Sequence, residues 1–293
     1  MIRKSCGCLV VSLVALVGVV AVGAALLLRP DIRFAAGQCL SRLTDGVELQ
    51  QVSYSADQLT ERTLTDLQSD PAVVCDRSLL LVNGTYPVEA SLLPEQGEYR
   101  DTGVWMAACA MDAYHSLSEA VKTQTGQDLL ISSAYRSAAE QQEVYAEDSS
   151  VAALPGQSEH ETGLALDVYV PLFAGDGFLK SDAGQFVNRE CWRYGFIIRY
   201  PLFKKSVTGI RFEPWHLRYV GAPHAEIITH NGWALEEYIG RLQPGIYYQA
   251  CGFVITRQAG DTLALPDGLT GLTVSPDNTG HIIVTGRLPA DNG

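Results

Sequence analysis

Ser158 to Val170 reads S-E-H-E-T-G-L-A-L-D-V-Y-V. From Leu164 onward the residues alternate. In extended chain, Leu164, Leu166, Val168 and Val170 share one face, and Ala165, Asp167 and Tyr169 take the other. A carboxylate on such a strand, opposite an apolar face, has to be solvated, paired or metal-bound. His160 lies on the loop entering the strand, and Gly163 permits close backbone approach between the two. Metal binding is one economical answer to this pattern. An edge strand with one wet face and an unrelated histidine is the other.

A second stretch bears on that choice. Arg211 to Gly221 reads R-F-E-P-W-H-L-R-Y-V-G and adds Glu213 and His216. Two histidines and one carboxylate leave a fourth tetrahedral position open, as in catalytic rather than structural zinc sites. A remaining glutamate can then serve as general base. Strict alternation would put Glu213 and His216 on opposite faces of a strand. Pro214, between them, cannot donate to a sheet ladder, so a bulge or bend there is required if both serve one site.

S-A-Y-R-S at 133–137, S-E-H-E-T-G-L-A-L-D at 158–167 and E-P-W-H-L-R-Y-V-G at 213–221 occur in this order. Together they resemble the VanY-type D-alanyl-D-alanine carboxypeptidases, zinc metallopeptidases related to the D-Ala-D-Ala dipeptidases and the hedgehog zinc fold. Y-G-F-I-I-R-Y-P at 194–201 and L-L-L-V-N at 79–83 also match, so the resemblance covers roughly residues 75 to 240. It implies a zinc site with His160, Asp167 and His216 as ligands and Glu213 as catalytic base. It also implies that Arg136 faces the scissile carbonyl or the substrate's terminal carboxylate. Gln141 and Ser158 are implied as further substrate contacts. One departure is Ala134, where the family pattern has glycine.

The chain has 293 residues, 47% hydrophobic and 18% charged, with a formal net charge of −12. That length allows one substantial domain plus an anchor or small appendage. The acidic balance, with no basic block beyond Lys204-Lys205, argues against nucleic acid as a partner. Residues 9–28 carry no charge and follow Arg3 and Lys4. They are long enough to span a bilayer and are read as an uncleaved transmembrane signal anchor, with a signal peptide cleaved near Ala21 to Ala25 as the alternative. Cys6 and Cys8 lie at its inner edge. Residues 1–30 are therefore the cytoplasmic tip and anchor, 31–74 a stalk or linker with one short helix, 75–243 the zinc domain, and 244–293 a small C-terminal β extension. Cys39 and Cys75 bracket the stalk and are one possible disulfide in an exported protein. Five cysteines outside the anchor leave at least one unpaired or paired between chains.

Within the zinc domain, Leu79–Val82 reads as a short buried strand ending at an Asn83-Gly84 turn. Residues 105–125 read as a helix closed by Gly126, with His115 a surface or core residue on it. Leu129–Ser132 reads as a strand delivering Arg136 to a rigid junction, where Ser137 and Glu140 form a capping box. Residues 182–194 read as a helix, 196–198 as a strand, and 223–242 as helix interrupted at His230-Asn231-Gly232. His224 and His230 are read there as surface histidines. Strand candidates follow at 246–256, 263–265 and 282–285.

These readings combine into an α+β domain with a mainly antiparallel sheet and flanking helices. An N-terminal transmembrane helix would hold it outside a bacterial cell membrane as a single-pass protein. The expected activity is zinc-dependent removal of the terminal D-Ala from peptidoglycan stem peptides. The alternatives are an L,D-carboxypeptidase or endopeptidase on the same stems, or a catalytically silent zinc-containing wall-binding module.

Overall fold

A computed structural model describes residues 46–288 apart from 150 and 151, with four isolated positions (23, 33, 34 and 37) before them. The chain divides into two units, residues 1–44 and 45–293, and the elements below belong to the second. The anchor expected over 9–28 falls, Gly23 aside, outside the described residues. So do Cys6, Cys8 and Cys39. Among the described residues no helix is long and apolar enough to cross a membrane. Cys75, Cys109, Cys191 and Cys251 are free thiols.

Residues 46–75, expected to be stalk, are built into sheets. They supply β1 (Gln50–Val52), β2 (Leu59–Thr63), α1 (Leu64–Ser69) and β3 (Val74–Cys75). Thr63 caps α1 by accepting from the Asp66 amide at 3.1 Å. The three strands are short and mostly exposed, so they lack the long alternation that identifies a strand by pattern.

Leu79–Val82 is buried, with each side chain 2–3% exposed, yet it is not a strand. Side chains and a turn take its backbone groups instead. Leu79 N–H donates to Ser275 Oγ at 2.9 Å and Leu81 N–H to the Asp277 carbonyl at 3.1 Å. The Ser78 and Leu80 carbonyls accept from Arg218 Nη2 at 3.0 and 2.6 Å. Backbone satisfaction, which burial demands, is met here without a neighbouring strand.

The elements that carry the site follow. β4 (Gln96–Glu98) and β5 (Trp105–Ala107) form a hairpin, and α2 (Ala108–Thr125) begins only after it. The helix expected from residue 105 starts later because neighbours claim that backbone. The Trp105 carbonyl accepts from Tyr135 N–H, and Ala107 N–H donates to the Gly163 carbonyl, both at 2.9 Å. Ala110, Tyr114, Leu117 and Val121 are the buried stripe of α2, and Gly126 ends it at φ 72°, in the left-handed cap glycine favours. Then come β6 (Leu130–Ser133), α3 (Ala138–Glu147) behind its Ser137–Glu140 capping box, and β7 (Ala165–Tyr169). α4 (Asp182–Glu190) continues as a 3-10 turn to Tyr194 before β8 (Phe196–Ile198). The short α5 (Lys205–Thr208) precedes β9 (His216–Tyr219). α6 (His224–Asn231) and α7 (Leu235–Arg241) are separated where Gly232 turns to φ 61°.

β6, β7, β9 and β8 form an antiparallel sheet in that order. Leu166, Val168, Leu217 and Phe196 pack beneath it against α2 and α4. Fully burying each such side chain contributes roughly 1.5–3 kcal/mol, and a one-residue slip would forfeit all of them, so the register is firmly set. A second sheet runs β1, β10 (Tyr247–Ala250), β11 (Phe253–Gln258), β14 (Ile282–Arg287), β13 (Thr270–Pro276), β3. β12 (Thr262–Pro266) pairs with β2. Ile255 and Ile283 of this sheet share a core with α6, α7 and Leu79.

His224 is a correction to its surface reading. It is 2% exposed, with Nδ1 2.6 Å from the Tyr238 hydroxyl and Nε2 3.2 Å from Thr285 Oγ1. It links α6 to α7 and β14. Its polar neighbours lie 14 and 61 residues away, beyond the reach of helical periodicity.

Candidate metal centre

The centre starts from strand register. Asp167 on β7 and His216 on β9 are directly paired, so their side chains stand on one face, opposite Leu166 and Leu217. Glu213 reaches that face through a turn rather than a bulge. His216 N–H closes on the Glu213 carbonyl at 3.1 Å, with Pro214 and Trp215 at the corner. The missing N–H of Pro214 costs nothing there.

His160 comes from the 3-10 turn Glu159–Thr162, which ends at Gly163 with φ 69°. A Cβ at residue 163 would lie 2.7 Å from the Ala107 amide nitrogen, so both the backbone angle and the packing require glycine. Thr162 Oγ1 donates to the Glu159 carbonyl at 2.6 Å. The His160 carbonyl accepts from Arg136 N–H at 3.1 Å, tying the turn to the end of β6.

The three side chains converge. Asp167 Oδ2 lies 3.2 Å from His160 Nε2, and Asp167 Oδ1 lies 2.9 Å from His216 Nδ1. The second contact lacks hydrogen-bond alignment and leaves Oδ1 without a hydrogen-bond partner. All three ligand atoms fall within 4.8 Å of one another. Zinc–ligand bonds of about 2.0–2.1 Å give tetrahedral edges of roughly 3.3 Å, close to both contacts.

The protons argue the same way. His160 Nδ1 sits 2.7 Å from the Ala134 carbonyl; a carbonyl only accepts, so Nδ1 carries the hydrogen. Burial pushes the His160 imidazole down, toward its neutral form. Nε2 is then a lone pair facing a carboxylate. Two acceptors do not share a contact unless a cation lies between them. Burial works against charge on Asp167, yet protonation of the neighbouring His160 or His216 imidazole holds its carboxyl well below the usual range. Burial likewise opposes charge on His216, but Asp167 and Glu213 outweigh it and raise that imidazole. Nitrogen, oxygen and nitrogen donors in this arrangement fit zinc.

Two further groups face the centre. Glu213 Oε2 lies 3.8 Å from His216 Nδ1, and burial raises its carboxyl above the ordinary value. Among the described residues Arg136 has no side-chain hydrogen bond or ion pair, and its buried Nε is unsatisfied. Burial lowers its pKa against the pull of Asp167 and Glu161. Gln141 is buried, with Nε2 donating to the Ala153 carbonyl at 2.7 Å and Oε1 unsatisfied. Ser158 is buried at the start of the 3-10 turn, its carbonyl accepting from Glu161 N–H at 3.2 Å.

The residue reading of the sequence missed what lies directly behind the ligands. Glu159 Oε1 accepts from Arg199 Nε at 2.7 Å and Arg218 Nη1 at 2.6 Å. Arg199 forks onto Glu236 at 2.8 and 2.7 Å. Arg199 and Arg218 are 1% and 0% exposed. The available signal was an arginine in each of two apolar strand runs, I-I-R-Y and W-H-L-R, since a buried guanidinium demands an acid. Tyr200 was missed as well; its ring lies 4.9 Å from that of His216.

With this geometry in view, comparison with known proteins is specific. The family model described as "VanY: D-alanyl-D-alanine carboxypeptidase" matches residues 103–222. A D-alanyl-D-alanine carboxypeptidase of Enterococcus faecium is 32% identical over 80% of this chain and 81% of its own length. A solved structure of the vancomycin-resistance D,D-dipeptidase VanXYg, in complex with a D-Ala-D-Ala phosphinate analogue, has a TM-score of 0.61 and 28% identity, covering 78% of this chain and 98% of that one. A mutant D,D-pentapeptidase VanY from a VanB-type resistance cassette, in complex with Zn(II), has a TM-score of 0.51 and 31% identity, covering 56% of this chain and 99% of that one. Shared identity along four-fifths of its length and an ordered set of site residues lead to one conclusion: this chain belongs to the VanY-type D-alanyl-D-alanine carboxypeptidase family.

Proposed function

We propose that this chain is a zinc-dependent D-alanyl-D-alanine carboxypeptidase that removes the terminal D-Ala from peptidoglycan stem peptides. The observation that carries this reading is the convergence of His160, Asp167 and His216, with Glu213 beside them, in a chain of this family. Held by those three side chains, zinc supplies Lewis acidity toward water and the scissile carbonyl. Glu213 takes the proton of the attacking water and passes it to the leaving amine. Burial raises its carboxyl above the ordinary value, the direction that favours taking up a proton. Arg136, unpaired and half-buried, meets the negative charge of the substrate, at the developing oxyanion or the terminal carboxylate. Gln141 Oε1 and Ser158 are the remaining polar groups assigned to substrate. The uncharged 9–28 run anchors the chain in a bacterial cell membrane with residues 75–243 outside, where stem peptides lie; the sequence alone supports that placement.

The test is mass spectrometry of stem pentapeptide, stem tetrapeptide and free D-Ala-D-Ala incubated with the zinc-loaded chain. Loss of one alanine from the pentapeptide alone is expected. Cleavage of the tetrapeptide instead would make it an L,D-carboxypeptidase. Stem binding with no product from any of the three would mark a silent wall-binding module.

A further inference from the structure

The ligand atoms converge although they come from separate elements, a 3-10 turn and two strands. Contacts between those elements position the ligands. Paired strands account for Asp167 and His216. His160 is different: apart from its bond to the Ala134 carbonyl, its position depends on the turn that carries it.

That turn is gripped through Glu159, the residue before His160. One carboxylate oxygen receives two guanidinium groups, Arg199 Nε at 2.7 Å and Arg218 Nη1 at 2.6 Å. Both arginines are bound to the His216 side of the site. Arg199 N–H donates to the His216 carbonyl at 3.2 Å. Arg218 is two residues beyond His216 on β9 and so shares its face. The other two nitrogens of Arg199 donate to Glu236, and those of Arg218 to the Ser78, Leu80 and Tyr219 carbonyls. Neither guanidinium can swing away. Two acids and two arginines balance in charge, as burial requires.

We infer that Glu159 is a positioning residue, which sets the distance between His160 and His216 by bridging Arg199 and Arg218, and through it the zinc affinity and coordination geometry of the site. The purely structural alternative is that the cluster only stabilises the core. The two differ in what they predict for the metal. Supporting groups that hold ligands typically cost about 10- to 100-fold in metal affinity when removed, whereas a remote buried ion pair costs stability alone. Arg257–Asp277, a buried pair with Nε 2.5 Å from Oδ2 that joins β11 to the residue after β13, provides that comparison.

This inference rests on the metal reading, so the experiment separates the two. Wild type, Glu159→Gln, Arg218→Lys and Asp277→Asn are compared by zinc competition against a chelator, by the visible spectrum of the cobalt-substituted chain, and by thermal midpoint. Glu159→Gln is expected to lose about tenfold or more in zinc affinity and to shift the cobalt bands. Asp277→Asn is expected to lower the midpoint with affinity and bands unchanged. Should Glu159→Gln not fold, Arg218→Lys decides, because it keeps the charge and removes the planar donor set. Altered bands and weaker zinc binding are expected together with a lowered midpoint, since the Ser78 and Leu80 carbonyls also lose their partner. The inference is overturned if the folded variant keeps wild-type affinity and spectrum and loses only thermal stability. A wild-type chain that binds neither zinc nor cobalt would instead overturn the metal reading itself.

Discussion

His160 Nε2 faces Asp167 Oδ2 at 3.2 Å with no hydrogen to share, because the imidazole hydrogen is already given to the Ala134 carbonyl from Nδ1. A buried acceptor pair of this kind is costly unless a cation joins it. The relationship explains why the Ala134 carbonyl matters: it fixes the tautomer that leaves Nε2 free. Ala134, in place of glycine, has a side chain that does not disturb this bond.

Metal uptake should therefore release protons unequally. The raised His216 binds a proton in the metal-free chain to higher pH than an ordinary histidine, whereas the depressed His160 does not. Near neutral pH, zinc binding is expected to release a proton mainly from His216, and affinity to fall as pH drops through its raised pKa. Calorimetry in buffers of different ionisation enthalpy measures that release. Zinc uptake independent of buffer at pH 6–7 would contradict the assignment.

Glu213→Gln preserves side-chain size and all three ligands. Zinc content should hold while D-alanine release falls by about 10²- to 10⁴-fold, the usual cost of losing a general base. His216→Ala should lose zinc and activity together. Metal content and turnover, measured side by side, separate base from ligand; a Glu213→Gln chain with most of its activity would remove Glu213 from that role.

Arg136 has no side-chain partner among the described residues, so its loss should cost substrate interactions rather than structure. Arg136→Lys keeps the charge and loses the fork. A drop in kcat/KM of about 10²-fold is expected, with zinc affinity and thermal midpoint near wild type. A large fall in midpoint would show a structural part for this side chain.

His224 gives a pH test away from the centre. Burial pushes its imidazole down to about 3, so the unfolded chain takes up this proton first as pH falls. The neutral form's contribution is whole above about pH 6.5 and drains away down to pH 3, by about 1.4 kcal/mol per pH unit. His224→Gln should lower stability at neutral pH yet flatten the acid limb by one proton. Urea midpoints of the two metal-free chains between pH 7 and 4 make the comparison; parallel curves would count against a buried neutral imidazole.

Much of the centre was legible without coordinates. Zinc hydrolysis needs particular residue types, and the alternation around Asp167 together with the E-P-W-H order exposes them. Helix limits marked by local chemistry, such as the Ser137–Glu140 box and Gly126, were legible for the same reason: their partners lie within a few residues. What the tertiary structure alone decided depends on distant partners. Leu79–Val82 carries the apolar run of a strand, but its hydrogen bonds go to Arg218 about 140 residues on and to Ser275 of β13 and the turn after it about 200 residues on. The strands at 50–75 are specified by β10, β12 and β13 rather than by their own pattern. Glu159 looks like any acid beside a ligand histidine. Only folding brings Arg199 and Arg218 to it, from 40 and 59 residues away, because a buried charge is defined by its neighbours in space and not by those in the chain.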